Sequence, residues 1–139
     1  LLGVKRACVV HGSGLDEAAV HGTTELAELK EDGTIERSTL TPADLGAKRL
    51  YSIEEIKGGA PADNALITEA ILAGKGTEAQ QAFVAANLAL LLKIGGLAKS
   101  LPEAVELARR TMASGKGLEV LNAHRAYAAS HTASSQKAA

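Results

Sequence analysis

Near residue 60 the period of the apolar residues changes, and this change constrains the fold more than any other feature. Before it, residues 4–11, "VKRACVVH", read as a strand with a buried end, bounded by Gly12 and Gly14. The segments "TTELAELK" and "TIERSTL" are rich in β-branched residues and flank Asp32-Gly33, a hairpin-turn pair. "LTPADLG" then reads as one proline-started helical turn ending at Gly46.

After residue 60 the spacing is helical. Pro61 stands in the first turn of a segment that sets Leu66, Ile67, Ala70 and Ile71 on one side and stops at Gly74. A second helix follows, with Thr77 as N-cap and Gly95-Gly96 as its stop; Phe83, Asn87, Leu91 and Ile94 fall on one face. A third is capped by Ser100 and carries a stripe of Leu101, Val105, Ala108 and Met112. A short fourth, "LEVLNAHRAY", precedes the tail "AASHTASSQKAA"; the acid-free composition from residue 123 onward leads us to expect disorder. Strands thus come first and helices second, without an internal repeat. A strand and a hairpin are too few to cover these helices, and an apolar first strand wants neighbours on both sides. The chain is expected to be part of a larger α/β fold whose other strands lie ahead of Leu1.

Composition narrows the function. Of 139 residues, 46% are hydrophobic, enough for a core, while aromatics make up 2%. That leaves no stacking platform for bases. A formal net charge of −1, with both signs scattered, argues against a nucleic-acid partner. The longest apolar run, "AFVAANLALLL", is shorter than the roughly 20 residues a bilayer requires, so no membrane span is expected. No secretory signal pattern is visible and Cys8 is the only cysteine, which sets a reducing cytoplasm as the expected location. Cys8 itself lies in the apolar strand and reads as a small buried hydrophobe.

One segment invites chemistry. In "VVHGSGLDEAAVHGTTE" two adjacent carboxylates, Asp16 and Glu17, follow a glycine turn at the end of the first strand. Adjacent side chains of an extended strand point to opposite faces, so both acids can serve one site only where the backbone turns. Gly12 and Gly14 supply that freedom. Two neighbouring carboxylates repel each other and would repel a phosphate, so a phosphate-handling site here needs a cation between them. Magnesium fits, because it takes one or two carboxylates plus waters and substrate phosphates. His11 and His21 flank the loop, but Cys and His are too few for zinc. A solvated acidic loop without any ligand is the competing reading. Thr23 and Thr24 offer hydroxyls, Gly58-Gly59 reads as a helix-entry turn, and Asn87 reads as a buried polar residue satisfied by backbone.

Several blocks together resemble one family. "LGVKRACVVHGSGLDEAAVHGTTELAEL", "LTPADLG", "IKGGAPADNALITEAILAGKG" and "VAANLALLLKIGGLAKSLPEAVELARRTMASGKGLEVL" are similar, in order and spacing, to the C-terminal part of the anthranilate phosphoribosyltransferases. The resemblance covers roughly residues 1 to 122. It implies the C-terminal portion of the larger α/β domain of a two-domain enzyme, a mixed sheet with packed helices, with residues 123–139 as tail. It also implies transfer of a phosphoribosyl group from phosphoribosyl pyrophosphate to anthranilate in tryptophan biosynthesis. A Mg²⁺ requirement and a homodimer come with it. Asp16 and Glu17 match the family's magnesium-binding acids, and His11 and Gly12 belong to the same matching segment as candidate substrate contacts. No catalytic residue is assigned. The family's upstream donor loop, Gly-Thr-Gly-Gly-Asp, and its Lys-His-Gly-Asn segment do not occur here, so the chain is expected to be catalytically silent alone. A related pentosyltransferase, such as a pyrimidine nucleoside phosphorylase, and a non-catalytic binding paralogue stay open as alternatives.

Overall fold

The computed structural model describes residues 3–136, with side chains to residue 131. Three strands, β1 (Ala7–Gly12), β2 (Thr24–Leu29) and β3 (Ile35–Leu40), lie in the order β1-β2-β3. Both pairings are antiparallel, with Gly12 opposite Thr24 and Thr24 opposite Leu40. No parallel pair occurs among the described strands. The β2–β3 turn is closed by Asp32, whose carboxylate accepts from both the Thr34 N–H (2.9 Å) and hydroxyl (2.7 Å). Gly33 takes the left-handed conformation there, at φ 86°.

Among the described residues five helices follow: α1 (Ile53–Ile56), α2 (Pro61–Leu72), α3 (Glu78–Ile94), α4 (Leu101–Ala113) and α5 (Lys116–Gln136). The expected punctuation is present. The Thr77 hydroxyl accepts from Gln80 N–H and the Ser100 hydroxyl from Glu103 N–H, while Gly96 leaves α3 at φ 74°. Helix α1 has no counterpart in the sequence reading, since four residues carry no period. The helix expected over "LEVLNAHRAY" lies within α5, which continues to Gln136 through the stretch expected as tail. From Asn122 to His131 that helix is exposed, held to α2 by an Arg125–Glu69 ion pair at 2.5 Å. The last three residues of the expected tail, 137–139, lie outside the described residues.

The buried face of α3 differs from the expected one. Ala79, Ala82, Ala85, Ala86, Ala89 and Leu90 are buried, whereas Leu91 is 69% exposed. Two alanine-lined sides of the same helix make two cores. One joins Ala82, Ala86 and Leu90 to Ala18, Val20, Leu45 and Tyr51, with Val10 of β1 against it. The other joins Ala85 and Ala89 to Ala104, Val105 and Ala108 of α4. Alanine lets the backbones approach closely, which a stripe of larger residues would prevent. Helix α3 therefore sits between the sheet and α4, and its sheet-facing side is where the end of β1 is held. The far face of the sheet is open, with Val9 and Ile35 exposed.

Candidate functional site

The glycine turn at the end of β1 is a closed two-residue hairpin. Gly12 and Leu15 exchange backbone hydrogen bonds at 3.0 and 3.1 Å, and the residues between them, Ser13 and Gly14, both have positive φ, 49° and 94°. That pairing is the hairpin geometry whose twist matches the flanking strands. Ser13 occupies a conformation unusual for a side chain, and its surroundings hold it there. Its hydroxyl donates to the Thr23 carbonyl (2.9 Å), and His21 Nε2 lies 3.2 Å from the Ser13 carbonyl oxygen. Gly22 is required by the same packing, because a Cβ there would overlap the Ser13 side chain.

Asp16 and Glu17 follow this hairpin directly, both exposed, in a bend rather than a strand. Neither carboxylate has a hydrogen-bond or ion-pair partner among the described residues. The chain then dives into the core: Ala18, Ala19 and Val20 are fully buried. Each of their backbones is tied down. The Ala18 N–H donates to Asn87 Oδ1 (2.8 Å), and Asn87 Nδ2 donates back to the Ala18 carbonyl (3.1 Å) and to the Phe83 carbonyl (3.0 Å). The Ala19 N–H donates to the buried Thr24 hydroxyl (2.9 Å), and the Val20 carbonyl accepts from Tyr51 N–H (3.1 Å). Two free acids thus stand on a stretch of backbone fixed at both ends.

Gly12 lies under that stretch. A Cβ on it would fall 2.6 Å from the Ala19 nitrogen and still nearer the Glu17 carbonyl oxygen, so only glycine allows the acid segment to cross the strand end this closely. Its place is structural and next to the acids. His11 is exposed on the open face of the sheet, paired in register with Glu25. Of the other marked residues, Thr24 and Asn87 hold the acid segment from below, as backbone-satisfied polar groups. Asn64 does the same for the turn into α2, accepting from Gly59 N–H (2.8 Å) and donating to the Gly59 carbonyl (3.0 Å). In the sequence His21 is only a flank of the loop; in space it lies against the backbone of Ser13.

The donor set fits magnesium better than a transition metal. Among the described residues no three His, Cys, Asp or Glu side chains come together, so a chelating cage is not what this loop offers. Two unpaired, exposed carboxylate groups on a rigid bend suit a hard cation that keeps waters and takes the rest of its ligands from phosphate. Glu17 also borders a groove of about 340 Å³ along α3, lined by Val10, Asn87, Leu90 and Leu91.

Cys8, on the core side of β1, is half-buried. Burial pushes its thiol pKa up, as does the neighbouring Glu28 carboxylate, while Lys93 pulls the other way. Burial also acts to raise Glu28, but hydrogen bonds and charge from Lys93 and Lys30 outweigh it and hold that carboxyl below its usual value. Lys93 Nζ reaches both Glu28 oxygens at 2.8 Å, joining α3 to β2. Cys8 is a shielded thiol in a structural strand.

An antiparallel sheet backed by an alanine-striped helix, with two exposed acids just past the first strand, makes up an α/β module. The chain belongs to the glycosyl transferase family, a/b domain, whose model matches residues 1–118. It is similar to the anthranilate phosphoribosyltransferase of Tolumonas auensis, 54% identical over 118 residues, 85% of this chain and 34% of that protein. The enzyme of the same name from Shewanella putrefaciens is 55% identical over 121 residues, 87% of this chain and 34% of that one. Among solved structures, anthranilate phosphoribosyltransferase from Thermus thermophilus superposes with a TM-score of 0.79 at 32% identity, over 88% of this chain and 35% of that chain. The Saccharomyces cerevisiae enzyme in complex with PRPP and Mg shares the fold at TM-score 0.72 and 24% identity, over 84% of this chain and 33% of that one. The chain spans about a third of the length of the relatives it matches.

Proposed function

We propose that this chain is the C-terminal part, residues 1–122, of the α/β domain of an anthranilate phosphoribosyltransferase, and that it supplies the enzyme's Mg²⁺-binding acids, Asp16 and Glu17. The complete protein would transfer the 5-phosphoribosyl group of phosphoribosyl pyrophosphate to the amino group of anthranilate, releasing pyrophosphate. A homodimer in the cytoplasm, with no nucleic-acid or membrane partner, goes with this reading. The carrying observation is the acid pair itself: two exposed, unpartnered carboxylates on a backbone held at both ends, in a chain 54% identical to a curated enzyme of that name.

Breaking the bond from ribose C1 to pyrophosphate gathers negative charge on the leaving oxygens. A bound magnesium ion supplies Lewis-acid stabilisation of that charge. Asp16 and Glu17 would hold the ion, and their own charge would keep the bare pyrophosphate away in its absence. Gly12 lets the segment carrying them lie against the strand end. His11 and Gly12, which belong to the segment matching the family, remain the candidate substrate contacts. The donor loop and the anthranilate-binding segment are not in this sequence, so the chain alone would be inactive.

The test is an assay of the full-length protein by loss of anthranilate fluorescence in the presence of phosphoribosyl pyrophosphate. Turnover should require Mg²⁺, and Asp16→Ala and Glu17→Ala should each depress it far more than they weaken anthranilate binding. Wild-type magnesium dependence in both variants would refute the assignment.

A further inference from the structure

We infer that Asn87 is a positioning residue for the divalent cation, acting through the backbone of the residue that follows Glu17; the inference rests on the reading of Asp16 and Glu17 as metal ligands. Three hydrogen bonds fix the orientation of the Asn87 amide. Its Oδ1 accepts from the Ala18 N–H at 2.8 Å, and its Nδ2 donates to the Ala18 carbonyl at 3.1 Å and to the Phe83 carbonyl, one turn back in α3, at 3.0 Å. The bond to Phe83 locks the side chain to its own helix. The two bonds to Ala18 lock both peptide planes of that residue, and the first of those planes includes the Glu17 carbonyl.

The other end of the segment is fixed independently. Leu15 is paired with Gly12 in both directions across the hairpin. Between Leu15 and Ala18 stand Asp16 and Glu17 alone, so the two residues with free carboxylates are the two whose backbones lack a clamp of their own. A site of two carboxylates gains affinity when they are held at the right separation before the metal arrives. An apolar residue at 87 would pack into the same groove beside Leu90 and Leu91 but would leave Ala18 N–H and C=O unpaired inside the protein. The amide on α3 therefore does more than satisfy the core: it sets one end of the span that carries the acids.

The decisive variant is Asn87→Asp in the complete protein. It keeps the shape and the acceptor for Ala18 N–H, but turns both donated bonds into oxygen facing oxygen. We expect the Mg²⁺ concentration for half-maximal phosphoribosyl pyrophosphate binding, followed by calorimetry, to rise about tenfold. Anthranilate affinity should stay near wild type, and metal-free hydrogen exchange should show loss of protection at Ala18. Val105→Ala, in the α3–α4 core, should lower thermal stability without moving the Mg²⁺ requirement. If Asn87→Asp does not fold, Asn87→Ser, which removes the bonds without adding charge, carries the same measurement. A folded Asn87 variant with wild-type Mg²⁺ half-saturation overturns the inference. If Asp16→Asn with Glu17→Gln leaves the Mg²⁺ requirement untouched, the metal assignment falls and this inference falls with it. Exchange at Ala18 would then still report the clamp separately.

Discussion

The carbonyl oxygen of Glu17 lies against the Cα of Gly12, so close that a Cβ at position 12 would overlap it. Strand end and acid segment are therefore one packed unit. Gly12→Ala must push the backbone of residues 17 to 19 away from β1, because the obstructing atoms are backbone and cannot rotate aside. The expected cost is about 1–3 kcal/mol of stability. Magnesium-dependent donor binding should weaken by more than the stability loss accounts for. Thermal unfolding and donor titration of the same variant check both parts.

The Lys93–Glu28 pair predicts a different kind of effect. It is short, and largely buried at the glutamate, whose side chain is 13% exposed against 24% for Lys93. Lys93→Met would leave Glu28 with Lys30 at 3.1 Å as its remaining cation. The loss should be about 1–3 kcal/mol, as for a hydrogen bond to a charged group. The same change removes the cation that opposes the upward shift of Cys8, so the thiol should react more slowly still with an alkylating reagent at neutral pH. Faster alkylation in folded Lys93→Met would contradict the placement of these charges.

Glu55 gives the clearest pH prediction. Hydrogen bonds from Arg49, at 2.6 and 3.2 Å, and from the Ser52 N–H, at 2.8 Å, hold its carboxyl down to about 2 from an ordinary 4.5. The folded form thus binds this proton less readily than the unfolded form. Its stabilising contribution is complete above about 4.5 and is lost as pH falls toward 2. In thermal scans across that window, Glu55→Gln should flatten part of the acid-side decline and leave the slope above about pH 6 unchanged. An identical acid limb in both proteins would contradict the pairing.

Much of this fold is written in local signals. Thr77 and Ser100 cap the helices they announce, Pro61 and Pro102 open theirs, and Asp32-Gly33 closes its hairpin. Those cues act within a few residues, so they survive without knowledge of the partners. The buried face of α3 does not. A stripe through Phe83, Asn87, Leu91 and Ile94 satisfies a helical period, yet the helix is flanked on two sides and buries its alanines instead. Periodicity identifies the helix; neighbours choose the face. The length of α5 escaped for the opposite reason: its exposed residues carry no apolar stripe, and helix continues there without one.

The acid pair is legible as a candidate because a glycine turn precedes it and adjacent carboxylates are costly without a cation or water. Its support is not. Asn87 is 69 residues from Ala18, and the His21–Ser13 contact depends on the chain doubling back across the hairpin. Such long-range bonds leave no spacing to detect in a single sequence.

Calorimetric titration of the complete protein with phosphoribosyl pyrophosphate, in Mg²⁺ and again after chelation of all divalent ions, tests the central claim most directly. Wild type should bind the donor with Mg²⁺ and lose most of that affinity on chelation. Asp16→Asn with Glu17→Gln should bind weakly in both conditions while its unfolding temperature stays close to wild type, since both side chains are exposed and unpaired. Equal wild-type affinity with and without divalent ions would contradict the claim that these two carboxylates bring the donor in through a metal.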